Sequence, residues 1–414
     1  MYTLKGAIFS LRDTLVVEGS IDPTLMGETV KLLKFLVARN VAPVIVSNSS
    51  WIETASKREI PDILSEMVGH KIPYFRGGHD MPMKQFAGAM EHILQTQNWQ
   101  PEEAIYIGST KEDMIAARNG KLMFLNARWH AQNSAYGFEF ESPKDIARFV
   151  DCCCLSIGDW FWAIENGDLK VYCIAPLAEY SRSYPTAGAY STDAKQAVKF
   201  NKGDVRFWGR LMGARLYFSG LGRVINYVAP YPGHHPNSTQ KVLSNALKIV
   251  ADTLRASYLV DLVERHAPAQ KSQTARQQGI SLDHKNQLST IKLRRDPSKT
   301  GQLGGRYKAS PLKPGKTVLV VDDILTEGFS LEAARAFIKA TGADVICAAW
   351  LKTPGGNHYR ALAGATPELK DPYKPYAAAA TQVNVIPNGA QIRNLRAPEE
   401  VSDAFKRYSA WDWP

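Results

Sequence analysis

The sequence predicts an α/β protein of two domains, each a mostly parallel sheet flanked by helices. Three observations carry that expectation. The chain has 414 residues, enough for two or three domains with their own cores. Residues 1–150 alternate short apolar runs with helical patterns, which is how βα units read. A second series of the same kind follows from about residue 170 to 352, and it includes a continuous apolar run suited to a buried parallel strand. The expected division is 1–150 and 151–414, the latter with its core at about 170–352.

The elements follow in order. Leu4–Phe9, Val41–Val46, Ala104–Gly108 and Leu122–Leu125 read as strands of the first sheet. Leu25–Asn40 places Leu25, Val30, Leu32, Leu33 and Leu36 on one helical face, and Lys84–Gln97 does the same with Phe86, Met90, Ile93 and Leu94. Ser142–Leu155 reads as a short helix and a join. In the second series Leu169–Ile174, Arg223–Val228, Ser257–Val263, Thr317–Val321 and Asp344–Trp350 read as strands. Thr192–Phe200, Arg206–Phe218, Ser238–Leu254 and Ser330–Thr341 read as helices. Between them, 264–316 reads as an exposed loop region with a short helix near Ser272–Gln278, and Thr366–Ala380 reads as loop.

Composition excludes several classes. With 45% hydrophobic and 22% charged residues the chain is neither disordered nor a small disulfide scaffold. No apolar run approaches the roughly 18–20 residues of a membrane span. The N-terminal Met1–Gly6 lacks the pattern of a signal peptide, and the five cysteines do not form CxxC pairs. A soluble cytoplasmic protein is the expectation. The run Cys152-Cys153-Cys154 reads as a buried apolar patch or a reactive-thiol spot rather than a metal site. The formal net charge is +10, and it is uneven: residues 264–316 alone carry 12 basic and 3 acidic residues. Such a local excess points to an anionic partner, either small-molecule phosphates or nucleic acid.

The first strand runs into Gly6-Ala7-Ile8-Phe9-Ser10-Leu11-Arg12-Asp13-Thr14-Leu15. This resembles the first motif of haloacid-dehalogenase-like hydrolases, where Asp-x-Asp supplies a nucleophile and an acid/base. Val44–Asn48, Lys84 and Tyr106–Asp113 with Gly120 resemble the remaining three motifs. The resemblance covers about 130 residues and implies a Rossmann-like domain. Ser10 and Arg12 stand where the two acids belong, and Ser109 replaces a metal-binding Asp, leaving Asp113. A serine without a base is a poor nucleophile, an arginine does not exchange protons near neutral pH, and Mg²⁺ wants carboxylates. The domain is expected to be catalytically inactive. It serves either docking or phosphate sensing, the latter through Arg12, Ser47 and Lys84 converging at the carboxyl end of the sheet.

Val318-Leu319-Val320-Val321-Asp322-Asp323-Ile324-Leu325-Thr326-Glu327-Gly328-Phe329-Ser330 is the strongest signal. An apolar strand leads to two acids, then to a turn with Thr326, Gly328 and Ser330, then to a helix. Backbone N–H groups and the helix dipole converge there on an anion. The adjacent carboxylates suit the hydroxyl pair of a ribose. The stretch resembles the phosphoribosyl-pyrophosphate (PRPP) motif of type I phosphoribosyltransferases. That resemblance implies ribose contacts from Asp322 and Asp323, which would also hold Mg²⁺, and a 5′-phosphate site formed by Thr326, Glu327, Gly328, Phe329 and Ser330. Glu327 departs from the small or hydroxyl residue usual there.

Three further stretches resemble the ComF-like branch of that family. They are Ala197–Phe200 with Gly203-Asp204, Ile225–His234, and Glu264-Arg265 with Lys271, Ser272, Gln273, Arg276 and Asn286. The zinc ribbon of that branch is absent, and His284 stands where Arg is common. The resemblance implies a pyrophosphate loop at Tyr231, Gly233 and His234 with His235 beside it, a contribution from Lys199, and a mobile hood in which Arg265 and Lys271 act in catalysis. The expected function is binding of PRPP or a related nucleotide, with Mg²⁺-dependent transfer or hydrolysis at ribose C1. The alternative is a non-catalytic effector of a bacterial stress or antiphage (retron-like) system. It would bind nucleic acid through Lys292, Arg294, Arg295, Lys299, Arg306 and Lys308, or else an operon-encoded protein or a second copy of itself. No membrane partner is expected.

Overall fold

The computed structural model describes residues 1–414 except 18–19, 54–55, 131–136, 156–157, 237–240, 271–276, 280–281, 300–304, 355–357, 364–368 and 378–380. Two six-stranded sheets organise the chain. In the first, neighbours run Tyr74–Arg76, Ala42–Ser47, Gly6–Ser10, Ala104–Gly108, Met123–Ala127 and Glu139–Phe140, all parallel. Gly6–Ser10 is buried along its whole length, as a central strand covered on both faces must be. The chain moves outward from it in one direction and then the other. The order therefore reverses between Gly6–Ser10 and Ala104–Gly108, and at such a point the strand ends leave a crevice.

Local chemistry fixes the helices. Pro23–Ala38 starts where the Asp22 carboxylate accepts from the N–H groups of Thr24 and Leu25. Lys111–Asn119 starts with a capping box of Thr110 and Asp113. The expected helix Lys84–Gln97 begins only at Ala89, because Gly88 before it is left-handed (φ 85°).

The second sheet runs Ser257–Tyr258, Ile225–Pro230, Thr317–Leu325, Asp344–Lys352, Leu169–Pro176 and Trp162–Asn166. All neighbours are parallel except the last two, which form an antiparallel hairpin. Its order reverses between Ile225–Pro230 and Thr317–Leu325. The expected strand Ser257–Val263 is two strands in different sheets. The chain turns after Tyr258, and Val263–Arg265 pairs antiparallel with Ile291–Leu293. The segment 264–316 is thus not only exposed loop: Leu288, Ile291 and Leu293 are buried, and a short helix spans Lys285–Leu288. The expected helix Ser272–Gln278 lies almost wholly outside the described residues. The described part of Thr366–Ala380 is loop. Flanking it are a hairpin, Tyr359–Leu362 with Val383–Ile386, and a terminal helix, Ala397–Ser409.

Helices Val205–Phe218 and Lys241–Leu254 lie between the two sheets. Every residue from Phe207 to Phe218 is buried, which an ordinary surface helix never shows. Gly213 permits the close approach: a Cβ there would stand 2.8 Å from the Thr253 hydroxyl. Trp208 stacks on Trp350 of the second sheet at 5.0 Å. Tyr217 donates to the Ala104 carbonyl of the first sheet at 2.8 Å. Arg210 makes a two-pronged pair with Asp145, 2.8 and 2.7 Å, and packs over Phe140. Burial alone would raise the Asp145 carboxyl, but Arg210 and Arg148 outweigh it and hold it near about 2. Removing one partner of so buried a pair costs about 3–5 kcal/mol.

The link between the sheets is Pro143–Phe149, continued by the π-helical turns Val150–Cys154. Cys152, Cys153 and Cys154 are buried, and burial pushes their thiols up, Cys152 to about 12. They act as apolar core, not as reactive thiols. No described helix is long and apolar enough to cross a membrane.

Candidate functional site

The crevice of the first sheet is filled by its own side chains. Lys84 donates to Ser10 Oγ at 3.0 Å and to Asp113 Oδ1 at 2.7 Å, with Tyr106 donating to the same carboxylate at 2.8 Å. Ser10, Lys84 and Asp113 are all buried. Burial raises the Asp113 carboxyl, but the Lys84 charge outweighs it, so its pKa falls below the usual value. The expected convergence of Arg12, Ser47 and Lys84 on a phosphate is not formed. Arg12 is exposed beside Asp13, and Ser47 Oγ accepts from Trp51 Nε1 at 2.9 Å. A lysine neutralised by an internal carboxylate leaves no net charge for a ligand.

At the reversal of the second sheet the chain forms a cavity of about 740 Å³. Asp322, Asp323, Thr326, Glu327, Gly328, Phe329 and Ser330 line it from the Thr317–Leu325 strand and the turn after it. Tyr231, Gly233, His234 and His235 line the opposite side, with Lys199 from an earlier helix and Arg265 from the hairpin above. The cavity therefore brings together the predicted acid pair, turn, loop, Lys199 and Arg265. Lys271, with Ser272, Gln273 and Arg276, lies outside the described residues.

The geometry differs from expectation in detail. The two acids sit within the strand, which continues to Leu325, and Asp322 is level with Ala349 of the neighbouring strand. Burial, and then the adjacent Asp323, pushes the Asp322 carboxyl well above its ordinary range. Two adjacent carboxyl groups side by side match two neighbouring hydroxyls. Gly328 has φ 91° and caps the helix Phe329–Lys339. A Cβ there would fall 2.3 Å from the Tyr359 ring, so only glycine fits. The N–H groups of the first turn have no acceptor within the helix and open on the cavity they line.

Arg265 is buried and spends its donors on the protein. It bonds to the Gly233 carbonyl (2.9 Å), Gln287 Oε1 (3.0 Å) and Thr290 Oγ1, and it lies over the Tyr231 ring. Tyr231 in turn donates to Gln287 at 2.7 Å. This cluster ties the Val263–Leu293 hairpin to the 231–233 loop through Arg265.

Sequence reasoning missed Lys352, Arg360 and Gln287. Lys352 ends a buried strand and donates to the Thr326 carbonyl at 2.8 Å, directly under the turn. Its burial lowers its pKa to about 8. A lysine closing the apolar run Cys347–Leu351 was the available signal. Arg360 reaches Glu327 from the C-terminal hairpin at 3.2 Å. No local pattern announces it.

Three side chains of the basic segment pair with neighbouring acids. Arg294 and Lys292 pair with Glu264, and Arg306 with Asp261. Arg295 lies over Tyr373 and Lys299 over Tyr307, each at 4.8 Å. Lys308 is exposed.

Residues 247–363 match the family model described as the phosphoribosyl transferase domain, a span that contains Arg265, the acid pair, the turn and Arg360. No curated protein matches the chain. Among solved structures, the chain is similar to a HAD-superfamily hydrolase from Ehrlichia chaffeensis, with 16% identity and a TM-score of 0.27, over 36% of this chain and 98% of that one. It is similar to a D,D-heptose 1,7-bisphosphate phosphatase from B. bronchiseptica, with 15% identity and a TM-score of 0.27, over 35% and 96%. A HAD-superfamily hydrolase from Legionella pneumophila is 21% identical with a TM-score of 0.22, over 30% and 64%. The matched phosphoribosyl transferase span supplies Arg265, the acid pair and the turn that line the cavity.

Proposed function

We propose that the cavity binds PRPP with Mg²⁺ and supports transfer or hydrolysis at ribose C1, while the haloacid-dehalogenase-like half does no phosphoryl transfer and serves for docking. The observation that carries this reading is the joining, in one cavity, of an acid pair with a glycine-led helix N-terminus. The donor set suits Mg²⁺, which takes one or two carboxylates and completes its shell with water and substrate phosphate. When bound, it would neutralise charge developing on the leaving pyrophosphate. The chain's own residues do the rest. Asp322 and Asp323 orient the ribose, the turn 326–330 holds the 5′-phosphate, and the loop 231–234 faces the pyrophosphate while Arg265 holds its carbonyl side.

The test is calorimetric titration of the full chain with PRPP and Mg²⁺. Wild type is expected to bind, and the double substitution Asp322→Asn, Asp323→Asn to weaken binding at least about tenfold. Absence of binding by wild type rejects the reading. In the same preparation a generic phosphate ester should remain intact, and its hydrolysis would show that Ser10 and Asp113 still support phosphoryl transfer.

A further inference from the structure

The carboxylate of Glu327 stands in the wall of an anion cradle, where it repels the ligand that the cradle is shaped for. Its partner resolves this conflict. Arg360 Nε lies 3.2 Å from Glu327 Oε2, and the Arg360 N–H donates to the Glu327 carbonyl at 2.8 Å.

The strand bearing Arg360 is fixed against the turn, with Tyr359 buried. Tyr359 donates to Glu332 Oε1 at 2.6 Å, and Leu362 N–H donates to Oε2 of the same buried carboxylate at 2.9 Å. The ring of Tyr359 fills the space over Gly328. His284 Nε2 bonds to the Arg360 carbonyl at 2.7 Å. The backbone is thus held at three points and the Tyr359 hydroxyl at a fourth, while the Arg360 side chain is 43% exposed and its guanidinium is engaged only through Nε. Among the described residues, neither terminal nitrogen has a partner. An arginine anchored at its backbone and loose at its head, one residue-contact from a phosphate-shaped turn, is placed to exchange a carboxylate for a phosphate.

We propose that Arg360 is a further ligand-binding residue of this cavity, which reads the ribose 5-phosphate group and is held ready by Glu327 until that group arrives. The inference rests on the PRPP reading and extends it. Glu327, the one residue that departs from the expected motif, then acts as the competitor that sets affinity rather than as a defect.

The experiment is calorimetric titration of wild type, Arg360→Ala, Arg360→Lys and Glu327→Gln with ribose 5-phosphate and, separately, with Mg²⁺ and pyrophosphate. Arg360→Ala should weaken ribose 5-phosphate about tenfold and leave pyrophosphate unchanged, with Arg360→Lys in between. Glu327→Gln should tighten ribose 5-phosphate, and that gain should shrink in the Arg360→Ala background. Equal loss for both ligands in Arg360→Ala would mean a structural role and overturn the proposal, as would unchanged binding. Wild type that binds ribose 5-phosphate while Arg360→Ala binds it equally overturns this inference alone. Wild type that binds neither ligand overturns the underlying reading as well.

Discussion

Lys352 is the residue whose chemistry is most directly testable. Its ammonium is buried below the 326–330 turn, bonded to the Thr326 and Thr353 carbonyls and lying over Trp162. Burial lowers its pKa from the ordinary 10.5 to about 8. Between those values the unfolded chain holds the proton and the folded chain releases it. Stability therefore rises with pH across that window, and below about 8 the cost of burying the charge is fully present. The unfolding free energy of wild type from denaturant titration should rise from pH 8 to 10.5 relative to Lys352→Met, by up to about 3 kcal/mol. Parallel curves for the two proteins would mean that the charge is not buried in solution. The same scale shows what sequence can and cannot give. Asp322 and Asp323 were legible because two acids closing an apolar strand violate its pattern. Arg360 was not, because its meaning depends on a hairpin formed far along the chain from Glu327.

At the scale of elements, the turn and helix 326–339 form one device. Gly328 is left-handed and lies under Tyr359, so Gly328→Ala meets both backbone strain and a ring. The substitution should cost about 1–3 kcal/mol and remove PRPP binding, read by thermal melting and by titration. Retained binding would show that the turn need not keep this conformation. Continuous apolar runs such as Thr317–Val321 are readable because burial on both faces demands them. The split of Ser257–Val263 is not, since only the strands' partners separate Ser257–Tyr258 from Val263–Arg265. The short strand Tyr74–Arg76 owes its existence to the edge of Ala42–Ser47 rather than to its own composition.

For the whole molecule, the two sheets share their middle layer. Val205–Phe218 touches both, and the C-terminal segment spans them again. Arg407 and Trp411 bond to Asp151, and the Trp411 and Trp413 rings pack edge-on against Phe35 of the first helix. Halves joined through so much buried surface should melt together. Scanning calorimetry is expected to show one transition for wild type, with van't Hoff and calorimetric enthalpies in agreement. Two separated transitions would mean that the halves are independent.

The sequence by itself determined the two βα series, the acid pair and the glycine-bearing turn after it, because each is written in neighbouring residues or in a local period. Tertiary structure decided how charge is spent. It turned Lys84 onto Asp113, Arg265 onto the 231–233 loop, Lys292, Arg294 and Arg306 onto Glu264 and Asp261, and Arg360 onto Glu327. A sequence counts charges, whereas their effect depends on which opposite charge lies within a few ångströms, and folding sets that distance.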